Sequence, residues 1–214
     1  MIKTILWDND GVLVNTEPLY FQAYRETLAT VGVDLTRELY IEYLLRQGEG
    51  AWHLAVENGT PPEAIAGLRT ERDALYADLL RRQQTTIAGA EETLERLHGT
   101  FAMGIVTSSD PEHFEIIHRS TGFLKYVDFV ITSRCFTHYK PHPEPYLVGL
   151  ERAGCSADEC IVIEDSPRGL AAATAAGIRC LIVPHDLTRE DDFPNATRVL
   201  DAVTDVTPEL LGSM

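Results

Sequence analysis

The chain has 214 residues, of which 44% are hydrophobic and 24% are charged, and its formal net charge is -15 at pH 7. This composition is typical of a globular protein with one good core and a small second lobe. The acidic balance argues against nucleic acid or an anionic membrane as a partner. No apolar run reaches the roughly 18 residues of a membrane span and no signal-peptide pattern is present, so we expect a cytoplasmic protein.

Short apolar runs predict five buried strands along the chain. These runs lie at residues 2–7, 102–106, 127–131, 160–163 and 179–183. Helical patterns are found at residues 90–98, 111–121, 144–153 and 167–176. Because strands alternate with helices, the sequence predicts an α/β fold, with a Rossmann-like parallel sheet flanked by helices.

The long stretch between the first two strands is predicted to be a helical insertion. Residues 15–86 contain no convincing strand, and their apolar residues recur with helical spacing. The residues that show this spacing are Leu19, Ala23, Leu28, Ile65, Leu68, Leu75 and Leu79. We therefore expect a core made of residues 1–14 and 87–214, with a small α-helical cap domain of residues 15–86 inserted after the first strand.

Two acids, Asp8 and Asp10, follow the first predicted strand. Carboxylates at the mouth of a buried strand repel each other unless a cation lies between them or one of them is protonated. Residues two apart on an extended chain point the same way, so both side chains would face one side. The alternative is that the acids only begin a turn, in which Gly11 supplies a permissive backbone.

Polar groups also follow the next three strands. They are Thr107, Ser108 and Ser109 after the second strand, Lys140 in a proline-rich loop after the third, and Glu164 with Asp165 after the fourth. The carboxyl ends of parallel strands share one edge of the sheet, where ligands bind. A helix cap, a helix dipole or a solvated lysine would explain each group alone. Together with Asp8 and Asp10 after the first strand, these groups place polar residues at four successive strand ends, which favours a single site.

Four motifs give the chain a family resemblance: "DNDGV", "VTSS", "KPHPEPY" and "EDSPRGLAAATAAG", spread over residues 2 to about 183. On these motifs the chain resembles the haloacid dehalogenase superfamily of phosphatases and phosphomutases that carry an α-helical cap. The resemblance implies that Asp8 is a nucleophile that forms an aspartyl phosphate. It also implies that Asp10 is the general acid that protonates the leaving group and then the base that activates water.

The resemblance further implies a Mg²⁺ ion beside these acids. The ion would be held by the carboxylates of Asp8 and Asp165 and by the backbone carbonyl of Asp10. Glu164 would either be a further ligand or contact the ligands without binding the ion itself. A cation is needed because a carboxylate that approaches a phosphate dianion meets strong repulsion in a cleft of low dielectric constant.

The phosphate site and the substrate site are also implied by the resemblance. Lys140, Thr107 and the Ser108 amide would bind the phosphoryl oxygens. Substrate choice is expected to come from the cap, which closes over the site. The candidate cap loop is "LRQGEGAW", residues 45–52, from which Arg46 could reach an anionic or hydroxylated substrate. A solvated surface arginine is the alternative.

The expected reaction is hydrolysis of a small organic phosphate monoester, either a sugar phosphate or a phosphoglycolate-like acid. One alternative is β-phosphoglucomutase-type transfer, which is weakened because those enzymes use a cap lysine and no lysine occurs between Lys3 and Lys125. Another is a non-hydrolytic phospho-receiver or phosphate-binding module, against which the second acid and the large insertion argue. The expected partner is a small phosphorylated metabolite, and both a monomer and a dimer fit the sequence.

Other patterns give weaker signals. Asn9 stands where the family more often has an apolar residue, and Asn15 stands where it commonly has an aspartate. The four cysteines show no CxxC spacing, which predicts scattered reduced thiols. His138 and His142 are four apart, as helical zinc ligands would be. Pro141 lies between them and argues against a helix, and therefore against zinc.

Overall fold

A computed structural model describes residues 1–83 and 85–214, and the chain divides into two compact units. The first, here called the sheet unit, comprises Met1–Asn15 and Thr86–Met214. The second, here called the helical unit, comprises Thr16–Thr85. Among the described residues, no helix combines the length and the apolar character needed to span a bilayer.

The described part of the helical unit consists of helices joined by turns, with a short 3₁₀ helix at Pro62–Ala64 besides the longer helices. These are α1 (Glu17–Ala29), α2 (Arg37–Tyr40), a π-helix (Ile41–Gln47), α3 (Trp52–Glu57) and α4 (Ile65–Arg82). The loop expected at residues 45–52 is shorter than predicted, because residues 45–47 belong to the π-helix and Trp52 begins α3. The turn between them uses Gly48 and Gly50, whose φ angles of 74° and 78° lie in the left-handed region.

The interior of the helical unit contains a buried arginine. The Arg72 guanidinium carbon lies 4.8, 4.6 and 5.6 Å from the ring centroids of Tyr20, Tyr24 and Trp52, a set of cation–π contacts. The buried face of α4 therefore runs through Leu68, Arg72, Tyr76 and Leu80. Leu75 and Leu79, which were expected on this face, are only half-buried, because the sequence pattern counted the arginine as polar.

The sheet unit contains six parallel strands in its described residues. They are β1 (Thr4–Trp7), β2 (Ala102–Val106), β3 (Phe129–Ile131), β4 (Cys160–Glu164), β5 (Arg179–Ile182) and β6 (Arg198–Val199), in the order β3-β2-β1-β4-β5-β6. The predicted parallel α/β sheet is confirmed. β6 was not predicted, because two exposed residues are too few to show a pattern. The strand order reverses at β1, where open α/β sheets bind their ligands.

The helices of the sheet unit are α5 (Ala90–Leu97), α6 (Pro111–His118), α7 (Glu144–Ala153), α8 (Pro167–Ala175) and α9 (Pro208–Gly212). Three of them begin with a side-chain cap, and at α9 the Thr207 hydroxyl accepts a hydrogen bond from the Leu210 amide. Asp110 accepts a hydrogen bond from the Glu112 amide at the start of α6, and Ser166 accepts one from the Gly169 amide at the start of α8. The helix predicted at residues 111–121 ends earlier, and Gly122, at φ 70°, leads into a short 3₁₀ helix at Phe123–Tyr126.

Close packing of α7 and α8 fixes the strand ends. A Cβ atom on Gly149 of α7 would lie 2.9 Å from the Leu6 side chain, so this helix lies directly on β1. In α8, Ala172 and Ala173 are fully buried. Small residues let both helices approach the sheet closely, and dense packing leaves the residues that follow the strands little room to move.

Candidate active site

A buried lysine joins the ends of β1, β2 and β4. The Lys140 ammonium donates hydrogen bonds to Asp8 Oδ1 at 2.7 Å, to Glu164 Oε1 at 2.8 Å and to the Val106 carbonyl at 3.0 Å. The side chains of Lys140, Asp8 and Glu164 are 4%, 11% and 0% exposed. One cation therefore bridges two buried carboxyl groups that lie far apart in the sequence.

These charges perturb one another. Burial disfavours the charged form of Lys140, but Asp8 and Glu164 outweigh it and raise the lysine pKa above its usual value. Burial also opposes ionisation of Glu164, yet Lys140 and the hydrogen bonds that Glu164 accepts lower its pKa to about 2. Burial and the Glu164 charge raise the pKa of Asp8 well above its usual value, against the pull of Lys140. The Lys140 ammonium thus stabilises the ionised form of Glu164, whereas it only partly offsets the burial and repulsion that favour the neutral form of Asp8.

The Glu164 carboxylate is held by hydrogen bonds on both oxygens. Oε1 accepts from Lys140 and from the Tyr146 hydroxyl at 2.7 Å. Oε2 accepts from the backbone amides of the next two residues and from the Ser166 hydroxyl. A Cβ atom on Gly169 would lie within 2.0 Å of this carboxyl group, so only glycine fits there. Glu164 is consequently fixed in one position.

Asp165 is a third buried carboxyl group near Asp8 and Glu164. Its Oδ2 is 2.8 Å from His185 Nε2. A Cβ atom on Gly11, which has a φ of 94°, would lie 2.3 Å from the same oxygen. Carboxylate oxygens of Asp8, Glu164 and Asp165 all lie within 4.8 Å of one another. Three buried carboxyl groups so close together form a site that suits a hard cation with oxygen ligands.

Asp10 is held by the residues that follow β2. Its Oδ2 accepts hydrogen bonds from the hydroxyls of Thr107 at 2.9 Å and Ser109 at 2.8 Å. The Ser109 amide in turn donates to the Thr107 hydroxyl at 3.0 Å. The Ser108 hydroxyl is buried and has no hydrogen-bond partner among the described residues. Thr107, expected at the phosphate, thus orients Asp10, while Ser108 presents a polar group that a ligand could satisfy.

Asn9 and His118 form a buried polar network beside the acids. Asn9 Oδ1 lies 2.8 Å from His118 Nε2, and His118 Nδ1 lies 2.8 Å from the Thr121 hydroxyl. The backbone carbonyl of Asn9 accepts hydrogen bonds from the amides of Leu13 and Val14, and these bonds close the turn after Asp10. Burial lowers the pKa of His118 to about 4, against the attraction of Asp10, so this histidine is neutral near pH 7.

Sequence reasoning missed several residues that support the acids. Tyr146 lies within the quoted "KPHPEPY" motif, so its position could have been found. His118 and His185 carried no signal, because each is a lone histidine in a segment chosen for other reasons. Arg46, predicted to contact substrate, lies in the π-helix of the helical unit and donates to Glu42 Oε2 at 3.1 Å. Its role in substrate binding stays a prediction.

Comparison with known proteins shows the class of enzyme. The model of the haloacid dehalogenase-like hydrolase family matches residues 5–183. Protein CbbY of Rhodobacter capsulatus is 30% identical over 226 residues, which cover 98% of this chain and 99% of CbbY. A phosphorylated carbohydrates phosphatase of Thermotoga maritima is 30% identical over 192 residues, or 87% of each chain.

Solved structures show the same relationship. The crystal structure of a CbbY variant from Rhodobacter sphaeroides in complex with xylulose-(1,5)-bisphosphate has 25% sequence identity and a TM-score of 0.81, and 96% of each chain is covered. Structures named as β-phosphoglucomutases share the fold as well. The chain belongs to the haloacid dehalogenase-like hydrolase family, as its motifs predicted. It is therefore an enzyme of the phosphatase kind.

Proposed function

We propose that the protein hydrolyses small sugar phosphate monoesters by way of a phosphoryl group carried on Asp8. The observation that supports this most is the Lys140 bridge, in which one ammonium lies within 2.8 Å of both Asp8 and Glu164. A nucleophilic carboxylate needs such a cation beside it when it approaches a phosphate dianion. The names of the relatives, which include a phosphorylated carbohydrates phosphatase, favour a sugar phosphate over a glycolate-like acid.

In the first step the Asp8 carboxylate attacks phosphorus and the bond from phosphorus to the leaving oxygen breaks. Lys140, fixed by Glu164 and the Val106 carbonyl, keeps the Asp8 carboxylate oriented and offsets charge on the phosphoryl oxygens. The buried Ser108 hydroxyl and the backbone amides after β2 supply further donors to these oxygens. The product of this step is an aspartyl phosphate.

Asp10 moves the protons in both steps. Its carboxyl group protonates the leaving alkoxide and then accepts a proton from the water that attacks the aspartyl phosphate. Release of inorganic phosphate restores Asp8. The two hydroxyls that donate to Oδ2 of Asp10 hold the carboxyl group in one orientation, which proton transfer over a short distance requires.

The residues present fit a Mg²⁺ ion. The buried oxygens of Asp8 and Asp165 and the backbone carbonyl of Asp10 are the hard ligands that this ion prefers. Glu164 contributes charge and holds Lys140, since both its oxygens already accept several hydrogen bonds. When bound, the ion would neutralise negative charge on Asp8 and on the phosphoryl group.

Phosphate release from a panel of substrates tests this function. The panel contains a pentulose bisphosphate, hexose 1- and 6-phosphates and phosphoglycolate, each with Mg²⁺ and with a chelator. We expect release from sugar phosphates that requires Mg²⁺ and is abolished by Asp8→Asn. The matched control is Asp186→Asn. The Asp186 side chain is 95% exposed, so this substitution is expected to leave activity unchanged. Full activity in Asp8→Asn would overturn the proposal.

A phosphomutase is the second candidate, because β-phosphoglucomutases share the fold. In that reaction a sugar hydroxyl, instead of water, accepts the phosphoryl group from Asp8. An isomerisation assay with β-glucose 1-phosphate distinguishes the two functions. Formation of glucose 6-phosphate faster than release of phosphate would favour the mutase over the hydrolase.

A further inference from the structure

Two histidines and a glutamate come together on the loop that carries Lys140. The rings of His138 and His142 lie 4.5 Å apart between centroids, with an interplanar angle of 32°. His138 Nδ1 lies 2.6 Å from Glu144 Oε2. One possible ligand atom from each of the three residues lies within 4.8 Å of the other two. Both histidines are exposed, so ions in solution can reach them.

We propose that His138, His142 and Glu144 form a binding site for a transition-metal ion of the zinc type, separate from the three carboxylates at Asp8. Two imidazoles and a carboxylate, with water in the fourth position, are a ligand set that Zn²⁺ accepts. Mg²⁺ prefers oxygen ligands, so the two sites differ in the ion they select.

The glutamate is already arranged as an ionised ligand. Its carboxylate accepts the backbone amides of Thr137 at 3.0 Å and His138 at 2.8 Å. These two bonds and the His138 imidazole lower the pKa of Glu144 to about 2. Coordination of His138 Nδ1 and Glu144 Oε2 to a metal ion would take the place of the contact between these two atoms. Coordination by His142 Nδ1 would cost only the 3.2 Å bond from the Glu144 amide.

The backbone of the loop favours this grouping without a helix. Pro141 and Pro143 flank His142 and restrict its neighbours, which lowers the entropy lost when the ligands are fixed. The segment is not helical, as its prolines predicted. A helix was expected to be necessary for zinc ligation by residues four apart, whereas here the turn into α7 brings the His138 and His142 rings together.

The position of the site suggests a link to the lysine between the two histidines. The His138 side chain is 63% exposed, while the side chain of Lys140 is 4% exposed and points to Asp8 and Glu164. An ion that fixes both histidines and Glu144 would restrain the backbone that positions Lys140. We therefore expect Zn²⁺ to raise the thermal midpoint of the protein.

Zinc binding in excess Mg²⁺ tests the proposal, with protein that carries no polyhistidine tag. Competition with a chromophoric chelator gives the affinity, and the visible spectrum of Co²⁺ reports imidazole ligation. We expect one equivalent to bind, and His138→Ala and His142→Ala each to weaken binding at least tenfold. The matched control His53→Ala removes an imidazole that packs on Tyr43 in the helical unit, and it should bind as the wild type does.

Several results would overturn the proposal. These are unchanged affinity in both loop variants, no binding by the wild type in excess Mg²⁺, and loss of zinc in Asp165→Asn, which would place the ion at the carboxylates. The thermal midpoint without zinc should be unaltered in His138→Ala and His142→Ala, since both side chains are exposed. Addition of zinc should raise the midpoint of the wild type and of Asp165→Asn, but not that of His142→Ala. This outcome does not depend on the proposed reaction.

Discussion

Replacement of Lys140 by methionine removes the cation between Asp8 and Glu164 and keeps a similar side-chain volume. At an effective dielectric constant of about 20, an ammonium at 2.7 to 2.8 Å from a carboxylate gains about 6 kcal/mol, most of which offsets desolvation. Without the ammonium, two carboxylates about 5 Å apart repel by about 3 kcal/mol. Loss of one partner from a buried ion pair costs about 3–5 kcal/mol, so we expect Lys140→Met to lower the free energy of unfolding by this amount at pH 8.

The loss should depend on pH. In the wild type, Lys140 opposes the burial and the Glu164 charge that raise the pKa of Asp8, so loss of Lys140 raises this native-state pKa further. The native variant then keeps a proton on Asp8 over a pH range in which the native wild type releases it. Over that range, stability falls as pH rises, and the deficit of Lys140→Met should therefore grow between pH 5 and pH 8. Turnover should fall by about 10²–10³-fold, the loss typical when a charged contact to the transition state is removed.

Urea unfolding, followed by fluorescence and circular dichroism, measures the deficit. The matched control is Lys125→Met, which removes an exposed lysine 3.2 Å from Glu91 and should leave the free energy of unfolding nearly unchanged, because solvent screens such a pair. The reasoning would be refuted if the Lys140 and Lys125 variants were equally stable, or if the deficit of the Lys140 variant became smaller as pH rose.

Three further changes test other parts of the site. Asp10→Asn should reduce turnover at least a hundredfold and still show a Mg²⁺-dependent rise in thermal midpoint; wild-type turnover would exclude the acid–base role. Folding lowers the pKa of His118 to about 4, so the free energy of unfolding of the wild type should fall as the pH drops from 6.5 to 4. In urea unfolding, His118→Gln should escape this loss, and its free energy of unfolding should fall by about 3 kcal/mol less than that of the wild type over the same range. An equal fall in both proteins would contradict this. Gly169→Ala should cost about 1–3 kcal/mol, since its methyl group would meet the Glu164 carboxyl, whereas Gly67→Ala, which meets nothing within 4 Å, should be neutral or stabilising.

Five of the six described strands, and the polar residues that follow them, could be predicted from the sequence. Buried parallel strands read as apolar runs, so β1, β2 and β4 were visible together with the polar residues that follow them. The topology then requires their carboxyl ends to meet. This explains why Asp8 and Asp165, far apart in the sequence, could be expected at one place from the sequence alone.

Contacts that depend on burial of polar side chains could not be predicted. Arg72 lies inside a cage of aromatic rings, although a pattern of apolar residues treats arginine as exposed. Asn9 was noticed as a departure from the family, but its partner His118 lies 109 residues away on α6. Hydrogen bonds of this kind depend on which helix face packs against which strand, and periodicity alone leaves that choice open.

The identity of the phosphorylated residue is the most direct test of the proposed reaction. Asp10→Asn protein is mixed with Mg²⁺ and a sugar phosphate that the wild type hydrolyses, quenched in acid, and digested for mass spectrometry. We predict a phosphoryl group on Asp8 that hydroxylamine removes. This group should be missing in the double variant that carries both Asp8→Asn and Asp10→Asn. Release of phosphate with no phosphorylated Asp8 at any quench time, or a phosphoryl group on another residue, would contradict the account.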